Sequence, residues 1–173
     1  MTAEAEATLP VLDGAVVADP ASDLLLAAVC ARWGGPRRGL GVVQGFGLHE
    51  GAVASTLSFD SADVVAVGAS REALAVAAAR AVAIGGGFVV VDGRGVVRAE
   101  LPLPLGGILT EVSVAEAAHG IETVTRALRD LGSPLARPLL TLQTITFSAI
   151  PALRLTARGL LAVKTREHVP VLL

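Results

Sequence analysis

The stretch FVVVDGRGVVRAEL, residues 88–101, sets two β-favouring runs on either side of Gly93-Arg94-Gly95. A chain that contains it must accommodate an antiparallel hairpin, because glycines at such a turn supply the backbone angles that fold one strand back on the other. Other segments carry the same signal. In AVASTLSF (52–59), Val53, Ser55, Leu57 and Phe59 fall on one face and Ala52, Ala54, Thr56 and Ser58 on the other, the period of two that belongs to a strand. LGVVQGF (40–46), DVVAVG (63–68) and LRLTARGLLAVKT (153–165, with a turn at Gly159) read as further strands, as does the C-terminal HVPVLL. VLDGAVVADP (11–20) reads as a short hairpin on Asp13-Gly14, stopped by Pro20.

Helical signals are fewer. Ser70 caps a helix over 71–84 with Glu72 at its positive end, an apolar stripe of Leu74, Ala77, Ala78, Ala81 and Ile84, and Gly85-Gly86-Gly87 as its stop. SVAE (113–116) is a capping box, and the helix it opens places Val114, Ala117, Ile121, Val124, Leu128 and Leu131 on one face. LLLAAVCARW (24–33) is apolar almost throughout, so period cannot decide; its alanines and length favour helix. PLLTLQTITFSAI (138–150) is rich in β-branched residues and favours strand. The expected fold class is α+β: mixed, largely antiparallel sheets with hairpins and two or three amphipathic helices. Residues 1–9 are expected to form a flexible tail and residues 10–173 one domain.

Composition narrows the function classes. The formal net charge is −2 and aromatics make up 3% of the chain, which argues against a nucleic-acid or anionic-membrane partner. Cys30 is the single cysteine, so no disulfide framework exists and a reducing cytoplasm is the expected location. The N-terminus lacks the basic and apolar regions of a signal peptide. Residues 74–91 are long enough to suggest a membrane span, but Arg80 near the centre and three consecutive glycines oppose it.

The residues able to carry chemistry are sparse. Gly45, Gly47 and Gly51 are spaced G-x-G-x-x-x-G and lead into a strand, whereas a dinucleotide loop needs G-x-G-x-x-G followed by a helix. No Walker-type Gly-Lys-Ser/Thr occurs, the single lysine being Lys164. His49, His119 and His168 have no metal-ligand spacing, and no metal or cofactor is expected. Asp60, Ser61 and Asp63 are the catalytic candidates: two carboxylates around a hydroxyl can supply a base, a capping network or a cation site, or simply form a turn. Gly45, Gly47, Ser55 and Thr56 are the ligand-binding candidates, with Ser55 and Thr56 also suited to pairing across a sheet.

Taken as strings, these segments resemble the C-terminal domain of bacterial adenine deaminase. GVVQGFGLHEGAVASTLSFDSADVVAVGAS carries the resemblance, DGAVVADPASDLLLAAVCARWGG precedes it, and AVAIGGGFVVVDGRGVVRAELPLPLGGILT and PLLTLQTITFSAIPALRLTARGLL follow in order, so that it covers residues 10–165. The resemblance implies a link to the hydrolysis of adenine to hypoxanthine and ammonia, which the family performs with metals held in an amidohydrolase-type (β/α)₈ barrel. Such a barrel takes about 250 residues, and its His-x-His motif is absent here. The family pattern also ends the strand in His-Asp-Ser-His-Asn, where this chain has Phe59, Asp60, Ser61, Ala62 and Asp63. Phe and Ala neither bind metal nor shuttle protons. The resemblance therefore implies a stand-alone homologue of that domain, non-catalytic alone, acting as a module for small-molecule binding, regulation or assembly and forming a homo-oligomer, most simply a dimer. The alternative is one part of a split adenine deaminase working with a separate barrel chain.

Overall fold

In the computed structural model, which describes residues 4–33 and 35–172, ladder hydrogen bonds join β4 (Arg38–Val43), β3 (Leu25–Cys30), β6 (Val64–Gly68), β5 (Ala52–Ser55), β7 (Gly87–Val91) and β8 (Val97–Pro102), in that order, into a six-stranded sheet that is antiparallel throughout. In chain order the elements are β1 (Val11–Leu12) and β2 (Ala15–Val16), a single 3₁₀ turn at Pro20–Ser22, β3 (Leu25–Cys30), β4 (Arg38–Val43), β5 (Ala52–Ser55), β6 (Val64–Gly68), α1 (Arg71–Ala83), β7 (Gly87–Val91), β8 (Val97–Pro102), α2 (Val114–Asp130), α3 (Pro138–Thr144), β9 (Leu153–Thr156), β10 (Gly159–Ala162) and β11 (Glu167–Val169). The pair β1–β2 forms a small hairpin, and β11-β10-β9 a three-stranded antiparallel sheet. The α+β expectation holds. Residues 4–9 have no regular structure; of the expected tail, residues 1–3 lie outside the described residues, as does Leu173.

The two faces of the large sheet bury different side chains because of strand alternation. One face presents Ala52, Ala54, Ala66, Val89 and Val91 to Ala73, Ala77 and Ala81 of α1. Small residues on both sides let the helix lie close to the sheet. The other face presents Leu25, Val29, Val53, Val65, Val67 and Val90 to Val124 and Leu128 of α2, Leu139 and Leu142 of α3, and Leu155 of β9. Leu128 and Leu142 are fully buried, each contributing about 1.5–3 kcal/mol through removal from water. The result is a sheet covered on both sides.

Both expected helix caps are present. The Ser70 hydroxyl accepts the Ala73 N–H. Ser113 and Glu116 form the reciprocal capping box, and the Ser113 hydroxyl, followed by its backbone N–H, holds the Glu116 carboxyl below its ordinary range. Only part of the expected α2 face is used, however. Val124 and Leu128 are buried, while Val114 and Ile121, nearer the N-terminus, stay exposed.

Three expectations need correction. Residues 24–33 contain strand β3, not a helix. β3 lies between β4 and β6, and a strand covered on both faces has no polar alternation to reveal it. Residues 138–150 contain helix α3 and then turns, not a strand. Pro138 sits in the first turn, where its missing N–H costs nothing, and Leu139 and Leu142, three apart, dock into the core. That packing outweighs the β propensity of the following Thr and Ile residues. Finally, β5 ends at Ser55 rather than Phe59, because the Ser55 hydroxyl takes the Leu57 N–H and turns the chain away from the ladder.

Candidate functional site

Past Ser55 the chain enters a turn that brings Asp60, Ser61 and Asp63 together. Asp60 and Ala62 both have left-handed backbone angles, φ 72° and 51°, which L-residues adopt only where surrounding contacts hold them. Those contacts are plain. One oxygen of the Asp60 carboxylate accepts the Ser148 backbone N–H at 3.1 Å and the Ser148 hydroxyl at 2.8 Å. The Ser61 hydroxyl accepts the Asp63 N–H at 3.2 Å. Asp63 accepts the Arg32 N–H through Oδ1 at 3.1 Å, and its carbonyl accepts the Ser58 hydroxyl at 2.9 Å. Thr146 donates to the Phe59 carbonyl, and the Phe59 and Phe147 rings lie 5.2 Å apart. The two carboxylates and the hydroxyl thus act as acceptors that fix the chain, the capping-network reading of this motif.

Arg32, Ser148 and Arg154 escape sequence reasoning. The Arg32 guanidinium donates to the Gly106 carbonyl at 2.8 Å and the Ala62 carbonyl at 3.4 Å, joining the turn to the segment after β8. Arg154 is buried, and it donates to the carbonyls of Phe147, Pro151 and Leu153, which shapes the loop carrying Ser148. Burial pushes the Arg154 pKa down. The contacts that tie the turn down leave no local signal: Asp60 and Ser148 are 88 residues apart, and Arg32 is 31 from Asp63 and 74 from Gly106.

The ligand-binding candidates are also committed internally. The Gly45 and Gly47 N–H groups each donate at 2.7 Å to one oxygen of the Asp23 carboxylate. The glycine stretch does cradle an anion, but the anion is the chain's own aspartate. Ser55 and Thr56 are fully buried. The Thr56 hydroxyl accepts the Gly87 N–H at 2.8 Å and donates to the Gly107 carbonyl at 2.6 Å.

The remaining candidates disperse. His49 packs against Gly132, where an added Cβ would lie 2.8 Å from the imidazole. His119 is exposed on α2 and His168 on β11. Among the described residues no three His, Cys, Asp or Glu side chains converge as metal ligands. Cys30 is half-buried, and burial, with Asp63 opposing and Arg38 assisting ionisation, pushes its thiol pKa up, the behaviour of an inert thiol. Among the described residues no helix is long and apolar enough to cross a membrane.

Two surface grooves among the described residues carry clusters of charged side chains. One, of about 290 Å³, mixes Glu50, Asp92 and Asp130 with Arg98 and Arg126. Its Asp92 is occupied by the N–H groups of Arg94 and Val96, which together hold the β7–β8 turn. The other, of about 280 Å³, is lined by Asp63 and Ser148 of the site just described, with Trp33, Arg37, Arg158 and His168.

Comparison with known proteins gives a consistent result. The family model described as the adenine deaminase C-terminal domain matches residues 1–167. The adenine deaminase of Methylobacterium sp. strain 4-46 is 40% identical over 163 residues, covering 94% of this chain and 29% of that protein. That of Moorella thermoacetica is 43% identical over 155 residues (88% and 26%), and that of Brucella abortus 41% over 171 residues (98% and 29%). The chain thus spans less than a third of the length of these relatives.

Proposed function

Since this chain belongs to the adenine deaminase C-terminal domain family, we propose that it is a non-catalytic module of an adenine deaminase. Hydrolysis of adenine to hypoxanthine and ammonia then falls to a metal-binding barrel outside these residues. The observation that carries this reading is the state of the Phe59–Asp63 turn. Asp60 is engaged by Ser148 and Asp63 by Arg32, and the positions where the family pattern has imidazoles hold Phe59 and Ala62. A general base needs a free acceptor within reach of the proton it removes, and a partner that orients it. In this turn one oxygen of each carboxylate is already taken by another segment of the chain, and Phe59 and Ala62 stand where an imidazole would have oriented a base. The cytoplasm suits such a module, since its Cys30 thiol stays reduced there.

Its work is assembly. Leu105, Ile108, Leu109, Val112, Val114 and Ile121 are all exposed along the segment that joins β8 to α2 and on the first half of α2. A run of apolar side chains of this size on one segment is the usual sign of a contact surface. It covers the barrel of an adenine deaminase, or in the isolated chain a second copy, as a two-fold dimer.

Light scattering on a sizing column tests both. The isolated chain should elute as a dimer. Mixed with a Brucella abortus adenine deaminase shortened by the segment this chain matches, it should form a mixed complex, and Leu109→Asp should abolish both associations. A monomer at high micromolar concentration that ignores the shortened enzyme would overturn the assembly role.

A further inference from the structure

We propose that the groove between the Phe59–Asp63 turn and the β9–β11 sheet is a binding site for a small phosphate-bearing ligand with a planar ring, of the nucleoside monophosphate class. The proposal goes beyond the non-catalytic reading: it concerns binding and not turnover, and its test reads binding alone.

Charge comes first. Arg37, Arg158 and His168 line one groove, in a chain whose net charge is −2. Among the described residues two arginines meet carboxylates, Arg80 binding Glu100 at 2.8 and 2.9 Å and Arg98 lying 3.7 Å from Asp92, and neither is in this groove. Among the described residues the guanidinium groups of Arg37 and Arg158 have no such partner, nor any hydrogen-bond acceptor. Two unpaired guanidinium groups in one concavity raise the local potential for anions, and the planar fork of Arg matches phosphate oxygens in pairs.

The second feature is Trp33. Its side chain is 64% exposed yet lines the groove, which is unusual for an indole without a contact to make. The Arg32 guanidinium lies 5.1 Å from the ring, and Arg32 is itself tied to Gly106 and Ala62. The indole is thereby presented as a platform on which a planar ring can stack. Asp63 lines the same groove; its Oδ1 takes the Arg32 N–H, and among the described residues its second oxygen has no hydrogen-bond donor, which leaves it as an acceptor for a ring N–H. The volume of about 280 Å³ lies just under the usual range of small-ligand sites, roughly 300–1,000 Å³, which suits one base, one sugar and one phosphate better than a dinucleotide.

Trp33 is the only tryptophan and the chain has no tyrosine, so intrinsic fluorescence reports on this groove alone. Titrating the full chain with a nucleoside monophosphate should quench it saturably. The corresponding neutral nucleoside should bind about tenfold more weakly or worse, as should the nucleoside monophosphate to Arg37→Ala or Arg158→Ala. Both arginines are exposed and unpaired, so the melting temperature of the variants should stay at the wild-type value, separating lost binding from lost folding. Inorganic phosphate should compete, but at higher concentration. No saturable quench up to about 10 mM, equal affinity for the neutral nucleoside, or unchanged affinity when Arg37→Ala and Arg158→Ala are combined would each overturn the site. Inorganic phosphate binding as tightly as the nucleoside monophosphate would overturn the stacking role of Trp33.

Discussion

Gly86→Ala is expected to lower the unfolding free energy by about 3 kcal/mol or more. Two effects add. Gly86 has φ +114°, where an L-residue is strained, and an added Cβ would lie 2.4 Å from the Gly107 Cα and 2.7 Å from the Thr56 Oγ1. The nearer atom is backbone and cannot swing aside. Gly107 cannot retreat either, because its own Cα faces the Arg32 guanidinium, which holds the Gly106 carbonyl. Gly85→Ala provides the comparison. Its φ is +82°, but its nearest neighbour would be 3.5 Å away, so only the conformational cost of about 1 kcal/mol remains. Urea denaturation of the two variants should separate them clearly. Equal midpoints would mean that the contact between Gly86 and Gly107 is not a constraint.

Thr56→Val should cost about 2–4 kcal/mol. The side chain keeps its shape but loses the hydroxyl that joins the Gly87 N–H to the Gly107 carbonyl. Thr56 is fully buried, so water does not replace the lost partner, and each orphaned group costs about 1–3 kcal/mol. Thr56→Ser keeps both hydrogen bonds and should lose only about 1 kcal/mol for the missing methyl. A Thr56 reserved for a ligand would behave differently: removing its hydroxyl would leave the stability of the free protein unchanged. Calorimetric melting of the two variants distinguishes these outcomes. Because Thr56 and Gly86 touch, their effects should not add.

These two residues also show where sequence reading stops. The Gly93-Arg94-Gly95 hairpin, the Asp13-Gly14 hairpin and the Ser113–Glu116 capping box were legible because every atom that forms them lies within a few residues. β3 was not, since both its faces are covered and its apolar run has no period. α3 was not, since Leu139 and Leu142 are drawn into a core built by distant strands. The site divides along the same line. Asp60, Ser61 and Asp63 stood out as a polar cluster, and the structure does gather them in one turn. Their roles depend on Ser148 and Arg32, which lie in segments with no polar signature. The amides of Gly45 and Gly47 are filled by the Asp23 carboxylate, more than twenty residues earlier in the chain, so nothing local to the glycines points to it. Likewise, the groove lined by Trp33, Arg37, Arg158 and His168 draws on three separate parts of the chain and exists only once they are folded together.

As proposed above, the Phe59–Asp63 turn anchors Ser148 and Arg32 and is not the seat of a reaction. The most direct measurement is release of ammonia from adenine by the purified chain, with and without added divalent metals, alongside Asp60→Asn and Asp63→Asn. The expected result is no ammonia above the blank from any of them, with Asp60→Asn melting at a lower temperature than the wild type because Ser148 is held less firmly. Metal-dependent ammonia release by the wild-type chain, abolished by either substitution, would contradict it.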